Sequence, residues 1–385
     1  MKPTLRILGI RGVPAAHGGF ETFAEYLALY LVQRGWRVIV YCQEGGGGAT
    51  VNDMWNGIER VRIPVSARGA AGTIVFDWLS IVDASRFSDL CLTLGYNTAI
   101  FTAVLKAKGL KNVINMDGIE WARAKWGPLA KAWFYINERA GCLLGDHLIA
   151  DHPEIKAHLA TRASASKITT IAYGAEEIGY ADPDRVRALG LEPGTFLTVI
   201  ARAEPENSVL EIVQGFSKKS RSHKLVVLGA YNPDNSYHKR VMDSAGTDVV
   251  FLGAIYDRAI VQALRFHSVA YVHGHQVGGT NPSLVEAMGA GNAVIAHDNK
   301  FNRWVAGQGA KYFDSADSFG QVIDELDSLR DDLDRMARES KIRFEEEFTW
   351  AKILRQYEQL LEQWLDENAA AGGRHGSGSQ ASGRR

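Results

Sequence analysis

The chain of 385 residues is long enough for two ordinary domains with separate cores, and 46% hydrophobic with 23% charged residues fit a soluble globular protein. A formal net charge of -1 excludes nucleic-acid binding through bulk positive charge. Cys42, Cys91 and Cys142 are odd in number and far apart, which excludes a disulfide framework or a cysteine metal cluster and suits a reducing cytoplasm.

Lys2 leads within a few residues into a core strand, so the reading expects no signal segment. No apolar run approaches the roughly 20 residues that cross a bilayer. Residues 5–9 read as the first strand. The loop GVPAAHGGFETF follows, and then a helix over 20–34 in which Phe23, Leu27 and Leu31 recur on one face. Further strands are expected at 38–41, 60–63, 90–94, 113–116 and 147–150. After Tyr173 and Gly174 the alternation restarts, with strands at 196–201, 225–229, 249–252, 269–272 and 293–296. Continuous apolar strands alternating with helices argue for parallel sheets covered on both sides. The fold class is therefore α/β, with two Rossmann-like domains in tandem facing each other across a cleft, where ligands bind beyond the carboxyl ends of the strands.

The expected division is 1–172, 173–346, a C-terminal helix over 347–367, and a tail over 368–385. Ile353, Leu354, Tyr357, Leu360, Leu361 and Trp364 fall at helical spacing in that last helix. The tail, AAAGGRHGSGSQASGRR after Asn368, is Gly/Ser-rich and expected to be disordered.

Residues 274–295, GHQVGGTNPSLVEAMGAGNAVI, carry the strongest functional signal. A Gly- and Asn-rich loop becomes a helix at Pro282, and a helix N-terminus with its free N–H groups is a natural seat for phosphate. Glu286 sits one turn into that helix, where its carboxylate can accept hydrogen bonds from sugar hydroxyls. Loop, phosphate seat and carboxylate together suggest a nucleotide-sugar site.

This stretch resembles the donor motif of the retaining GT-B glycosyltransferases of family 4, and within it GGTNPSLVEAMGAGNAV resembles the rhamnosyltransferase-like branch with a DUF1972-type N-terminal domain. ILGIRGVPAAHGGFETFAEYLALYLVQRGWRVIVYC, NMDGIEWARAKWGPLAK and ARAEPEN resemble the same branch, in the same order, from Leu5 to about Phe313. The resemblance implies a GT-B fold whose C-terminal helix crosses back to the first domain. It also implies a metal-independent transfer that retains anomeric configuration.

Residue by residue, the resemblance places Gly18 and Gly19 beside the donor diphosphate and Arg202 on it. Glu21 is read as a cap of its own helix. Glu286 corresponds to the second glutamate of an E-x7-E motif and would bind the ribose. The first glutamate of that motif falls at Gly278, and the family's phosphate lysine falls at Asn207 or Ser208. Gly278, Gly279, Thr280, Asn281 and Ser283 would then hold the sugar, implying a 6-deoxy sugar such as L-rhamnose from dTDP-rhamnose. His273 and His275 frame the loop as donor contacts. Asp117 and Glu286 are the candidate catalytic carboxylates, Asp117 orienting or deprotonating an acceptor hydroxyl. Simpler roles stand beside these: an ion pair of Arg202 with Glu204 or Glu206, a helix cap for Asp117, and hydrogen-bonded structural histidines. Arg123, Lys125 and Lys131, interleaved with Trp121, Trp126, Trp133 and Phe134, are the candidates for an acceptor or an anionic membrane surface.

The reading is a cytoplasmic glycosyltransferase at the inner face of the plasma membrane. It would act on a glycan or polyprenyl-diphosphate-linked acceptor, with no cofactor beyond its nucleotide-sugar co-substrate and no metal. Rivals are a GT-B nucleotide-sugar epimerase and an inactive sugar-nucleotide-binding protein. A dehydrogenase is disfavoured because no G-x-G-x-x-G follows the first strand.

Overall fold

Apolar runs with no polar face become strands buried on both sides, and in this chain they assemble into two separate sheets. The computed structural model describes residues 2–375 apart from 17, 124 and 329. The chain divides into Met1–Ile171 with Ala351–Arg385 (unit 1) and Ala172–Trp350 (unit 2).

Unit 1 contains strands β1 (Thr4–Leu8), β2 (Arg37–Gly45), β3 (Val51–Trp55), β4 (Ile58–Val65), β5 (Leu90–Leu94), β6 (Asn112–Asn115), β7 (His147–Ala150) and β8 (Ile168–Thr170). They run in the order β3-β4-β2-β1-β5-β6-β7-β8, all parallel except the β3–β4 pair. Its helices are α1 (Gly18–Gln33), α2 (Gly69–Ala84), α3 (Ala103–Ala107), α4 (Pro128–Leu144) and α5 (Pro153–Leu159). β3 was not expected. As an edge strand it leaves Val51 and Met54 exposed, so it shows no continuous apolar run. Its signal was the turn: Asn56 and Gly57 both take positive φ (48° and 83°), the Asn-Gly geometry of a tight hairpin.

Unit 2 contains β9 (Phe196–Ile200), β10 (Lys224–Leu228), β11 (Val249–Gly253), β12 (Ala270–His273), β13 (Ala293–His297) and β14 (Lys311–Phe313), all parallel in the order β11-β10-β9-β12-β13-β14. Its helices are α6 (Asp184–Arg187), α7 (Val209–Phe216), α8 (Ser236–Asp243), α9 (Arg258–Phe266), α10 (Pro282–Gly289), α11 (Lys300–Ala306), α12 (Ala316–Ser328) and α13 (Arg330–Glu347). One core on this sheet joins Val199, Val227, Val272 and Ile295 to Phe216, Phe319 and Met336 from the covering helices. Strand order reverses between β9 and β12, so the crevice beyond their carboxyl ends is the natural ligand site of this sheet.

Helix α14 (Trp350–His375) packs into unit 1. Ile353, Leu354, Tyr357, Leu360 and Leu361 are buried, each burial worth roughly 1.5–3 kcal/mol. Tyr357 packs on Phe23 at 4.5 Å between ring centroids and accepts a 2.8 Å hydrogen bond from Asn115 Nδ2. Glu358 accepts from Tyr30 (2.7 Å) and Arg34 (3.0 Å). The helix continues through 368–375, which the sequence reading had assigned to the tail. The alanines at 369–371, the best helix formers, extend a helix already anchored upstream. The rest of that expected tail, 376–385, lies outside the described residues.

Candidate functional site

The loop after β9 and the loop after β12 are locked together at the point where the strand order reverses. Ser208 is fully buried in a left-handed conformation (φ 50°), and its Oγ donates to the Gly274 carbonyl at 2.7 Å while accepting from Gln276 Nε2 at 2.8 Å. Asn207 donates through Nδ2 to the Arg202 carbonyl (2.8 Å), which turns its Oδ1 towards His275 Nδ1 at 2.6 Å. Gly274 is required by this crossing, since a Cβ there would lie 2.0 Å from the Asn207 carbonyl oxygen. Asn207 and Ser208 therefore hold two loops in register, and neither takes the place of a phosphate-binding lysine.

Arg202 stands two residues beyond the end of β9 and is exposed. Its guanidinium makes no ion pair or hydrogen bond among the described residues, so pairing with Glu204 or Glu206 is not its role. A fork of five donors without a partner among the described residues, at the ligand-binding end of a parallel sheet, suits a diphosphate.

Helix α10 begins with Asn281 as N-cap, its Oδ1 accepting from the Ser283 N–H at 3.0 Å, and Pro282 in the first turn. The Ser283 hydroxyl points inward, 2.6 Å from Tyr271 Oη and within reach of the Ile200 carbonyl at 3.3 Å. The Ser283 N–H and hydroxyl, expected at the donor, are thus both engaged by the protein. Thr280 is buried. Gly278 adopts φ 116°, a conformation that L side chains rarely adopt, beside the neighbouring Gly279. At position 278, where the motif glutamate is missing, the backbone conformation would strain any side chain.

Glu286 is held by Arg265, a residue that the sequence reading missed. Arg265 is buried on α9, and its Nη2 lies 2.5 Å from Glu286 Oε2 and 3.2 Å from Ser283 Oγ. One carboxylate oxygen is fixed by this pair while the side chain stays about a third exposed (36%). An arginine at a buried position of an otherwise apolar helix face was the available signal. His273 is 5% exposed, stacks on Tyr271, and its Nε2 has no hydrogen-bond partner among the described residues. Burial, with help from His275 and His297, holds its pKa well below the usual histidine range, so it presents a neutral ring at pH 7.

In unit 1, α1 starts at Gly18 (φ 60°), followed by Gly19. Glu21 accepts from the Arg11 N–H at 3.2 Å and Glu25 from the Ala15 N–H at 2.6 Å. Glu21 thus fastens the loop before the helix, with its other carboxylate oxygen close to Gly18 at the helix start.

Asp117 follows β6 with φ 52° and accepts from the Gly118 N–H at 2.8 Å, while its own N–H donates to Asn115 Oδ1 at 3.0 Å. The next helical turn, Glu120–Ala122, has Ile119 at its N-cap, so Asp117 does not cap it. Asn115 bridges Asp117 to Tyr357, so α14 positions this turn. Burial first, then the Glu120 carboxylate, raise Asp117 from 3.8 to about 6, against the opposing pull of Arg123 and Lys125. A folded pKa above the unfolded one means that ionisation opposes folding: this contribution to stability is lost as pH rises from about 4 to about 6. Asp117→Asn keeps the left-handed backbone and the acceptor oxygen. Its melting temperature should exceed the parent's by several degrees at pH 8 and by much less at pH 4. Equal differences at both pH values would show that Asp117 titrates normally.

The aromatic and basic segment is anchored. Trp121, Trp126 and Trp133 donate to Glu138 (2.8 Å), Glu120 (3.0 Å) and the Asn97 carbonyl (2.8 Å). Phe134 packs on Trp126. Arg123 is paired with Glu120 at 2.6 Å, which removes it from the open basic group. Lys125 lies over the Trp126 ring at 4.6 Å, and Lys131 has no side-chain partner among the described residues. On α4, Leu129, Ile136 and Leu143 recur every seven residues and are 89%, 52% and 76% exposed. Among the described residues no group of three or more His, Cys, Asp or Glu could hold a metal ion. No helix is long and apolar enough to cross a membrane.

Two parallel-sheet units of this kind define the GT-B fold of glycosyltransferases. Over 95% of this chain and 100% of the other, the structure is similar to sucrose-phosphate synthase from Thermosynechococcus elongatus, with a TM-score of 0.78 at 15% identity. It is similar to HepE from Anabaena in complex with UDP (TM-score 0.72, 13% identity, 94% and 100% covered). It is also similar to an α,α-trehalose-phosphate synthase from Burkholderia xenovorans in complex with glucose-6-phosphate (0.71, 12%, 94% and 100%). At these identities the likeness establishes the fold. In sequence, residues 2–176 match the family described as Domain of unknown function (DUF1972). No curated protein matches the chain.

Proposed function

We propose that this protein is a cytoplasmic retaining glycosyltransferase. In this reading it moves L-rhamnose from dTDP-rhamnose to a hydroxyl of a cell-surface glycan or lipid-linked saccharide precursor, without metal. The observation that carries the reading is an Arg202 guanidinium without a partner among the described residues on the same parallel-sheet unit as an Arg265-anchored Glu286. Structures of Anabaena HepE with UDP and with UDP-glucose support a nucleoside diphosphate sugar as the donor class.

Arg202 would neutralise the diphosphate, and the second oxygen of Glu286 would accept from ribose hydroxyls. The neutral His273 ring would exchange a hydrogen bond with the sugar, and Asp117 would orient the acceptor hydroxyl. The sugar C1–O bond to the diphosphate breaks as the acceptor oxygen bonds C1 on the same face, and the acceptor proton passes to the departing phosphate oxygen. The residues position the reactants and stabilise charge, which is the protein's share of such a transfer.

Thermal shift against dTDP-, UDP- and GDP-sugars and their free diphosphates tests the reading, because a ligand of the folded state raises its melting temperature. Selective stabilisation by dTDP or dTDP-rhamnose supports it. Preference for UDP or GDP replaces the sugar, and binding without transfer to any acceptor makes the chain a binding protein.

The exposed face of α4 serves as a peripheral contact with an anionic bilayer. Its large apolar side chains stand beside Lys125, Lys131 and Arg139, and the only carboxylate in 125–144 is the buried Glu138. Replacing Leu129, Ile136 and Leu143 by glutamate should abolish sedimentation with phosphatidylglycerol vesicles without lowering the melting temperature. Unchanged sedimentation would reject this contact.

A further inference from the structure

Unit 1 holds a cavity of about 670 Å³ that includes none of the expected site residues. It opens beyond the carboxyl ends of β1, β2 and β4, against the start of α2, and four arginines line it: Arg11, Arg60, Arg62 and Arg68. Two of these are neutralised. Arg60 forks onto Asp53 at 2.7 and 2.6 Å, and Arg62 bonds Glu44 at 2.5 Å and Asp53 at 3.1 Å.

The other two differ. Arg11 and Arg68 are exposed, and neither guanidinium has an ion-pair or hydrogen-bond partner among the described residues. Of the lining carboxylates, Glu44 is tied to Arg62 and Glu21 accepts from the Arg11 N–H. Arg68 is also the N-cap of α2 and supplies no side-chain cap, which leaves the positive end of a 16-residue helix facing the same space.

We infer that this cavity binds the phosphoryl group of the acceptor, a phosphate or diphosphate ester gripped by Arg11 and Arg68 at the α2 N-terminus. Naming the ligand an acceptor rests on the glycosyltransferase reading; the binding of a phosphoryl anion does not. Two unpartnered forks of donors in a polar recess match the oxygens of such a group, and the Arg60–Asp53–Arg62–Glu44 network holds the wall behind them. A cavity of this size accommodates a sugar phosphate or the diphosphate end of a lipid-linked saccharide.

The test is calorimetric titration of the full chain with inorganic pyrophosphate, alongside Arg11→Gln/Arg68→Gln and Arg202→Ala. The inference expects a pyrophosphate site that Arg202→Ala retains and that weakens about tenfold or more in the double variant, beside any pyrophosphate held by Arg202. Both arginines are exposed, so the melting temperature should be unaltered. No binding left in Arg202→Ala, or undiminished binding in the double variant, overturns it. Titration of the same proteins with nucleoside diphosphates separates the two readings: their failure to bind rejects the glycosyltransferase and leaves the pyrophosphate result to decide this cavity. To distinguish a lipid-borne from a sugar-borne phosphate, geranyl diphosphate and a hexose 1-phosphate are compared, the tighter identifying the acceptor's phosphoryl link.

Discussion

Arg202→Ala should lose stabilisation by nucleoside diphosphates and lower the rate of sugar transfer about a hundredfold or more, with the melting temperature unmoved. The guanidinium is exposed and makes no bond among the described residues, so its removal breaks none of the contacts described for the fold. Negative charge grows on the diphosphate as the sugar leaves. A preplaced donor aimed at that charge is worth roughly 10²–10³ in rate. Neither Asn207 nor Ser208 can substitute, because both are buried and hydrogen-bonded to neighbouring loops. Arg202→Lys retains charge without the bidentate fork and should fall between parent and alanine. Near-parental turnover by Arg202→Ala would remove this residue from the donor site.

Glu286→Ala should be inactive and also less stable by about 1–3 kcal/mol, a discounted value because Glu286 is partly exposed. From sequence alone this substitution is expected to leave the fold intact. The structure revises that expectation, because alanine would strand the buried Arg265 with only Ser283 beside it. Glu286→Gln keeps an oxygen for Arg265 and should recover most of the stability. Activity would return only in so far as ribose needs a neutral acceptor. Arg265→Met provides the converse, releasing the carboxylate from its anchor. Chemical denaturation of the three variants, read with their kcat and KM, separates anchoring from ligand contact. Identical stability of Glu286→Ala and the parent would mean that the pair contributes nothing measurable.

Much of unit 2 was legible because its grammar is local. Alternating apolar strands, a Gly/Asn loop and Pro282 at a helix start each report on residues nearby in sequence, and all five strands expected in unit 2 coincide within a residue or two with observed ones. What escaped was non-local. The anchoring of Glu286 depends on Arg265, twenty-one residues upstream, and no periodicity links them. The arginine-lined cavity gathers Arg11, Arg60, Arg62 and Arg68 from three separate segments. Only the alternation of Arg60 and Arg62 along β4, which puts both on one face, hinted at it. Glu21 illustrates a subtler limit, since a carboxylate in a first turn serves its own helix or an incoming loop according to the path of the chain.

Because α14 belongs to unit 1, the first unit of this protein is completed by its last helix. During synthesis, unit 2 leaves the ribosome as one uninterrupted stretch with its own sheet and core. Unit 1 must wait, with Phe23, Tyr30 and Asn115 lacking Glu358 and Tyr357 until α14, which follows unit 2, has been made. The turn carrying Asp117 therefore gains its support only after unit 2 is complete, and the order of completion runs opposite to the order of sequence.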